Sequence, residues 1–192
     1  MSSAKRGQEW EDIITPSFAI LDNCTVMKMG APVRVVRFVK RAKPGRPAKG
    51  GEFVGFFEGK GSCDYEGGYA GLVVSVEAKR TKQPRWSFAS IKPHQLARMR
   101  STVDMGGVAG VLLAWDHIEG SSAYFGISFE AIEIWMRSGK KSINPHDLMA
   151  GCDVDGSGVK MLVMRPAANN GKFSTVCNLC PFMEMMINKE ES

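Results

Sequence analysis

The chain has 192 residues, 44% hydrophobic and 23% charged, which fits one folded domain and excludes a wholly disordered chain. Its longest apolar stretch, residues 106–115, is 10 residues, against the roughly 20 a bilayer-spanning helix needs, so no membrane partner is expected. The net charge is +5, yet seven basic residues and no acidic one fall between positions 34 and 49 (Arg34, Arg37, Lys40, Arg41, Lys43, Arg46, Lys49), so the remainder carries −2.

That block is a footprint for phosphates or anionic lipid, with a solvated linker as the plain alternative. Five cysteines without regular spacing, and an N-terminus (MSSAKRGQEWED) without an apolar run, set the expectation of a reducing, cytoplasmic setting.

Residues 8–22 place Trp10, Ile13, Ile14 and Phe18 at helical spacing, and Pro16 predicts that this helix is short or bent. Residues 32–40 (PVRVVRFVK) read as a strand, residues 43–51 as a Pro/Gly loop, and residues 52–57 as the returning strand. The basic block would climb one arm of that hairpin and occupy its tip. Between positions 50 and 71, eight glycines permit tight turns and close approach of a ligand to backbone. Residues 69–78 (YAGLVVSVEA) read as a strand, residues 92–105 as a helix with Pro93 in its first turn, and residues 107–115 as a buried strand. A short amphipathic helix over 128–137 and a last strand over 159–164 follow, and the segment 165–192 shows no pattern that assigns it. Strands interleaved with helices predict an α/β fold, a mixed sheet covered by helices on at least one face.

The sharpest chemical feature is Asp64 followed by Glu77-Ala78-Lys79. On a strand, Ser75, Glu77 and Lys79 share one face while Val74, Val76 and Ala78 take the other. A turn at Gly67-Gly68 would fold Asp64 back beside Glu77. Two converging carboxylates form a hard oxygen site for Mg²⁺ or Mn²⁺, and a lysine beside it can position water or neutralise charge growing on a phosphate. The chemistry implied is metal-assisted phosphodiester hydrolysis; the plain alternative is an exposed Glu77–Lys79 ion pair of little worth. Cys177-x-x-Cys180 has no second close pair to complete a zinc site, and DVDGSG over 153–158 lacks the closing glutamate of a calcium loop. His94 reads as helix-opening or DNA-contacting, and Phe56, Phe57 and Tyr65 either stack on bases or fill a core.

Residues 62–82 (SCDYEGGYAGLVVSVEAKRTK) closely resemble the central motif of the RecU-type Holliday junction resolvases, of the PD-(D/E)XK nuclease superfamily. The family's D-Y-x-G-x-Y-x-G is met by Asp64, Tyr65, Gly67, Tyr69 and Gly71, and its E-A-K-x-T-K by Glu77, Ala78, Lys79, Thr81 and Lys82. His94-Gln95 matches a His-Gln that opens the family's next helix, Lys140-Lys141-Ser142-Ile143 resembles a late segment, and Gly7-x-x-x-Glu11 resembles the N-terminal helix. Roughly residues 7–164 are covered.

The resemblance implies a restriction-endonuclease-like fold over 1–164 with a projecting basic β-hairpin stalk at about 37–57, followed by an extension, 165–192, of unknown role. Asp64, Glu77 and the Ala78 carbonyl would ligate Mg²⁺, with Mn²⁺ as a substitute. Lys79 would be the catalytic lysine, Glu11 would complete the acidic set with Glu9 and Asp12 as neighbouring alternatives, and Gln95 would support the site. Lys28, Arg37, Lys40, Arg41, Lys43, Arg46, Lys49, Arg80 and Lys82 would contact DNA. Two departures stand out: only Lys28 and Pro32 remain of a basic-proline segment, and Arg80 replaces a residue that is often acidic. The implied activity is paired symmetric nicking of four-way DNA junctions by a homodimer, working with recombination proteins inside a bacterial or phage-infected cell. The rivals are a nuclease of the same superfamily acting on linear or other branched DNA, and a catalytically inactive modulator that binds branched DNA.

Overall fold

The order of the central sheet decides where its functional edge lies. The computed structural model describes residues 3–30, 33–40, 52–57, 62–118, 121–152, 157–162, 164–169 and 172–187. Helix α1 (Ser3–Ala19) is followed by β1 (Met27–Lys28), then β2 (Val33–Lys40) and β3 (Glu52–Phe57), which pair antiparallel as a sheet of their own. Arg37 and Lys40 lie in β2, whereas Arg41, Lys43, Arg46 and Lys49 fall outside the described residues.

Strands β4 (Tyr65–Tyr69) and β5 (Leu72–Thr81) form a hairpin. After β6 (Trp86–Ser87) and a 3₁₀ turn, helix α2 (Pro93–Asp104) crosses to β7 (Val108–Ile118), which runs parallel to β5. Next come β8 (Ser121–Ser128), α3 (Phe129–Arg137), β9 (Ser142–Ile143), α4 (Pro145–Cys152) and β10 (Val159–Met161). The six-stranded sheet has the order β1-β4-β5-β7-β8-β10, and its other pairings are antiparallel. It is the mixed sheet expected from the sequence.

Both faces are covered. Val108, Leu112 and Ala114 point to one side of β7, where they meet Trp10, Ile14 and Phe18 of α1; Ala109, Val111, Leu113 and Trp115 point to the other, toward Met99 of α2 and Phe129 and Ile132 of α3. Alternation along one strand therefore feeds two cores. Trp10 stacks on Tyr124 at 5.2 Å between ring centroids and donates its indole N–H to the Leu112 carbonyl at 3.1 Å. Helix α1 continues through Pro16, which lacks the N–H that would bond back one turn. Ser17 Oγ donates to the Ile13 carbonyl at 2.7 Å and Thr15 Oγ1 to that of Glu11 at 2.9 Å, so side chains satisfy carbonyls beside the break. The helix is consequently longer than Pro16 suggested.

The expected turn at Gly67-Gly68 is corrected. Both residues lie within β4, and the chain reverses at Ala70 and Gly71, whose φ values of 49° and 87° are those of a tight two-residue hairpin turn. Gly67 is needed for a different reason: a Cβ there would sit 2.4 Å from the Thr25 carbonyl oxygen.

Within the segment without an assigned pattern, the described residues form two strands and a helix. Strands β11 (Met164–Asn169) and β12 (Lys172–Cys177) pair, and α5 (Cys180–Ile187) brings Phe182, Met183 and Met186 into the core shared with α1. Phe182 lies directly over two backbone-only positions of the sheet, Gly110 of β7 and Gly126 of β8. The Cys177 N–H donates to Ser17 Oγ at 2.8 Å, tying this segment back to α1.

Candidate active site

The hairpin register creates the site. Tyr65 faces Val76 across β4 and β5, so the next pair outward is Asp64 and Glu77, on the opposite side of the sheet from Tyr65. The Asp64 N–H donates to Glu77 Oε2 at 3.2 Å, and Asp64 Oδ2 accepts the Ala78 N–H at 3.0 Å. The separation of 13 residues found in the sequence is thus a cross-strand partnership, reached through a turn other than the one expected.

Helix α2 covers that face. Gln95, in its first turn, donates from Nε2 to Glu77 Oε1 at 2.5 Å, while its Oε1 accepts the Lys92 N–H at 2.9 Å and stands 3.4 Å from Lys79 Nζ. Lys79 Nζ also reaches Glu77 Oε1 at 2.6 Å. One turn on, Arg98 grips Glu66 with Nε and Nη2, and Thr102 shares a 2.8 Å hydroxyl bond with Ser75. The face of β5 that holds Ser75, Glu77 and Lys79 is thereby locked onto one side of α2.

Glu77 is only 1% exposed, so the exposed-ion-pair alternative does not describe it. Burial, reinforced by the charge of Asp64, pushes its carboxyl up to about 7 against the opposing pull of Lys79. Burial likewise pushes the neighbouring Cys63 thiol up to about 12.

Asp64, Gln95 and His94 line an open recess of about 210 Å³ with Met29, Gly30, Ser62 and Cys63. His94 Nδ1 is buried there without a hydrogen-bond partner among the described residues. The sequence offered His94 as helix-opening or DNA-contacting, not as part of the wall of this recess. Among the described residues no cluster of three or more His, Cys, Asp or Glu side chains has a metal-binding arrangement. Two carboxylates and a carbonyl nevertheless suit Mg²⁺, a cation that keeps several waters and takes further oxygens from a substrate phosphate.

The other expected residues are distributed as follows. Glu11 pairs with Lys28 Nζ at 2.5 Å, and its carbonyl accepts the Tyr65 hydroxyl at 3.3 Å; none of these bonds reaches Asp64 or Glu77. Glu9 pairs with Arg80, whose Nε also meets both oxygens of Asp116 at 3.2 and 3.1 Å, and Asp12 accepts from Gln8. Arg80 therefore joins α1 to β5 and β7 behind the site, an arrangement the sequence did not suggest. Lys82 is exposed just past the end of β5. Tyr65 is not a base-stacking residue: it is fully buried, 5.4 Å from the Phe18 ring centroid, and desolvation pushes its hydroxyl up to about 12.

Fold and site together define a restriction-endonuclease-like α/β protein with Glu77 and Lys79 on a central strand and Asp64 beside them at the start of its hairpin partner. The family model described as RecU, recombination protein U, matches residues 5–155, and the chain belongs to that family. It is similar to the Holliday junction resolvase RecU of Latilactobacillus sakei, 29% identical over 113 residues, which are 57% of this chain and 52% of that protein. The protein of the same name from Listeria welshimeri is 29% identical over 149 residues, 72% of this chain and 70% of that one. The one from Shouchella clausii is 28% identical over 93 residues, 48% and 39%. The matches thus span from over a third to 70% of these relatives' lengths.

Proposed function

We propose that this protein is a divalent-metal-dependent endodeoxyribonuclease that resolves four-way DNA junctions by paired symmetric nicks. The observation that carries the reading is the cross-strand pair Asp64 and Glu77, with Lys79 and Gln95 bonded to the same Glu77 oxygen. Similarity to proteins named Holliday junction resolvases gives the substrate class.

Asp64, Glu77 and the Ala78 carbonyl would hold Mg²⁺, or Mn²⁺ in its place. When bound, the ion supplies positive charge to a scissile phosphate and makes water more acidic. Gln95 orients the Glu77 carboxylate by donating to it and holds Lys79 in reach. Lys79 places an ammonium beside the acid pair, where it neutralises charge growing on the phosphate as water attacks phosphorus and the bond to the 3′-oxygen breaks. A 5′-phosphate and a 3′-hydroxyl are left. With one such site per chain, the two opposed nicks would be made by a homodimer, as the resemblance implies. The basic residues of β2 and of the sequence after it, Arg37 through Lys49, would gather phosphates at the junction centre, where counterion release strengthens binding.

A synthetic four-way junction and a linear duplex of the same sequence, incubated with Mg²⁺, test the proposal. Nicking confined to the junction and abolished in Asp64→Asn is the expected result. Equal cutting of linear duplex would favour the general-nuclease alternative, and no cutting at all would leave only a binding role.

A further inference from the structure

We infer that a second DNA-contacting surface, separate from the β2–β3 hairpin, lies beyond the end of β5 and grips a duplex arm by its phosphates; it rests on the junction-nuclease reading above. Residues 78–103 and 134–146 contain no acidic residue. The fold places the two segments side by side: β6 pairs with β9 through Trp86–Ile143 and Ser87–Ser142, the Phe88 N–H donates to the Lys141 carbonyl at 3.1 Å, and Arg85 binds Ser142 through Oγ at 2.9 Å and the carbonyl at 3.2 Å. Lys82, Arg85, Lys140 and Lys141 are all exposed. Neither Lys140 nor Lys141 has an ion pair or side-chain hydrogen bond with any described residue.

Their backbone is firmly held. Gly139, at φ 83°, ends α3, and the N–H groups of Ser138, Gly139 and Lys140 bond back to carbonyls of its last turn. The lysines are therefore presented on a fixed helix end, and one strand, β5, leads directly from Lys79 to this surface. At about 3.3 Å of rise per strand residue, Lys82 stands ~10 Å from Lys79. That is roughly three base-pair steps of about 3.4 Å along a duplex. A cation cluster at that distance from the reacting phosphate suits the arm flanking a nick, whose backbone is the same in a junction and in linear DNA.

The test compares wild type with the double variant Lys140→Gln/Lys141→Gln, measuring affinity against salt concentration with Ca²⁺ in place of Mg²⁺. Both a four-way junction and a 25-base-pair linear duplex serve as probes. Losing two phosphate contacts should lower the log–log salt slope by about 1.8 and weaken binding up to ~30-fold at 0.15 M salt, on both probes. The charge-preserving Lys140→Arg/Lys141→Arg variant should restore the slope, which separates lost charge from a folding defect. An unchanged slope, or a loss confined to the junction probe, overturns the proposal. Failure of the wild type to nick any junction would instead overturn the resolvase reading, and the duplex slopes would still measure this surface.

Discussion

Without divalent cations, Glu77→Gln should make the protein more stable at pH 8, although it removes the centre of the site. Glu77 has its carboxyl pushed up to about 7 from the ordinary 4.5 of a glutamate, mainly by burial, so the folded chain holds that proton over a range in which the unfolded chain has released it. Where the native state binds more protons, stability falls as pH rises, so the cost develops between about pH 4.5 and 7 and is complete above that. A shift of this size corresponds to roughly 3 kcal/mol at about 1.4 kcal/mol per pH unit. Glutamine keeps an oxygen for Gln95 and Lys79 but places an N–H₂ against the Asp64 N–H, forfeiting about 1 kcal/mol of hydrogen bonding. The net gain is about 2 kcal/mol, or ~4–8 °C in Tm for a chain of this size. Thermal melts in EDTA from pH 5 to 8.5 measure it: wild type should lose stability toward high pH, and the variant should run nearly flat across the same range. Adding Mg²⁺ at pH 8 should raise the wild type and leave the variant unmoved. Parallel curves for the two proteins would mean that Glu77 carries no desolvation penalty, and the reasoning would fail.

Lys79→Ala should abolish junction nicking while leaving junction affinity within about tenfold, since in the proposed mechanism its ammonium acts on the transition state; gel-shift and nicking assays on one preparation check both halves. Phe182→Ala should cost about 3–5 kcal/mol in a denaturant melt, because the ring is fully buried over Gly110 and Gly126. Gly126→Ala should destabilise on its own, its Cβ falling 2.4 Å from the Phe182 ring, yet cost far less when combined with Phe182→Ala; additive losses would deny that contact. Burial pushes the Cys177 thiol up to about 12, so only ~10⁻⁴ of it is thiolate at pH 8, and alkylation followed by peptide mapping should label half-exposed Cys24 long before Cys177.

The acid pair was legible as a motif, Asp64 ahead of a strand on which Glu77 and Lys79 share a face, but its pairing is set by the turn: at Ala70-Gly71 it brings Asp64 opposite Glu77, whereas a turn at Gly67-Gly68 would bring it opposite Gly71. Its turn was misread for a physical reason: Gly-Gly advertises a bend, yet here it makes room for the Thr25 backbone, while the real turn uses an alanine at positive φ that nothing local favours. Strand β8 escaped notice because it is covered on both faces and Gly126 interrupts its alternation, a gap that only the distant Phe182 explains. Helix α5 (CPFMEMMI) is apolar nearly all round, which blurs the helical period that identifies a one-sided helix. The charges on α1 could be seen but not their partners, since Lys28 and Arg80 reach it from two different strands of the sheet, β1 and β5.

Those partners explain why one acid pair stands apart from the other carboxylates around it. Glu9 and Asp116 share Arg80, Glu11 has Lys28, and Glu66 has a two-pronged bond from Arg98. Each of these pairings ties α1 or α2 to the sheet, so their negative charge is spent on holding elements in place. Asp64 has no cationic partner among the described residues; its side chain accepts a backbone N–H, and Glu77 beside it shares a single lysine. The local balance is therefore two carboxylates against one ammonium, in a place where burial already disfavours the charged form of Glu77. On the proposed reading, a divalent cation would relieve both Asp64–Glu77 repulsion and desolvation, leaving Lys79 able to turn toward a phosphate. If the surrounding fasteners set that balance, Arg80→Met should loosen α1 and lower stability without releasing the cation, whereas Gln95→Leu should weaken the cation's hold while α1 stays packed; calorimetric Mn²⁺ titration beside thermal melts separates the two.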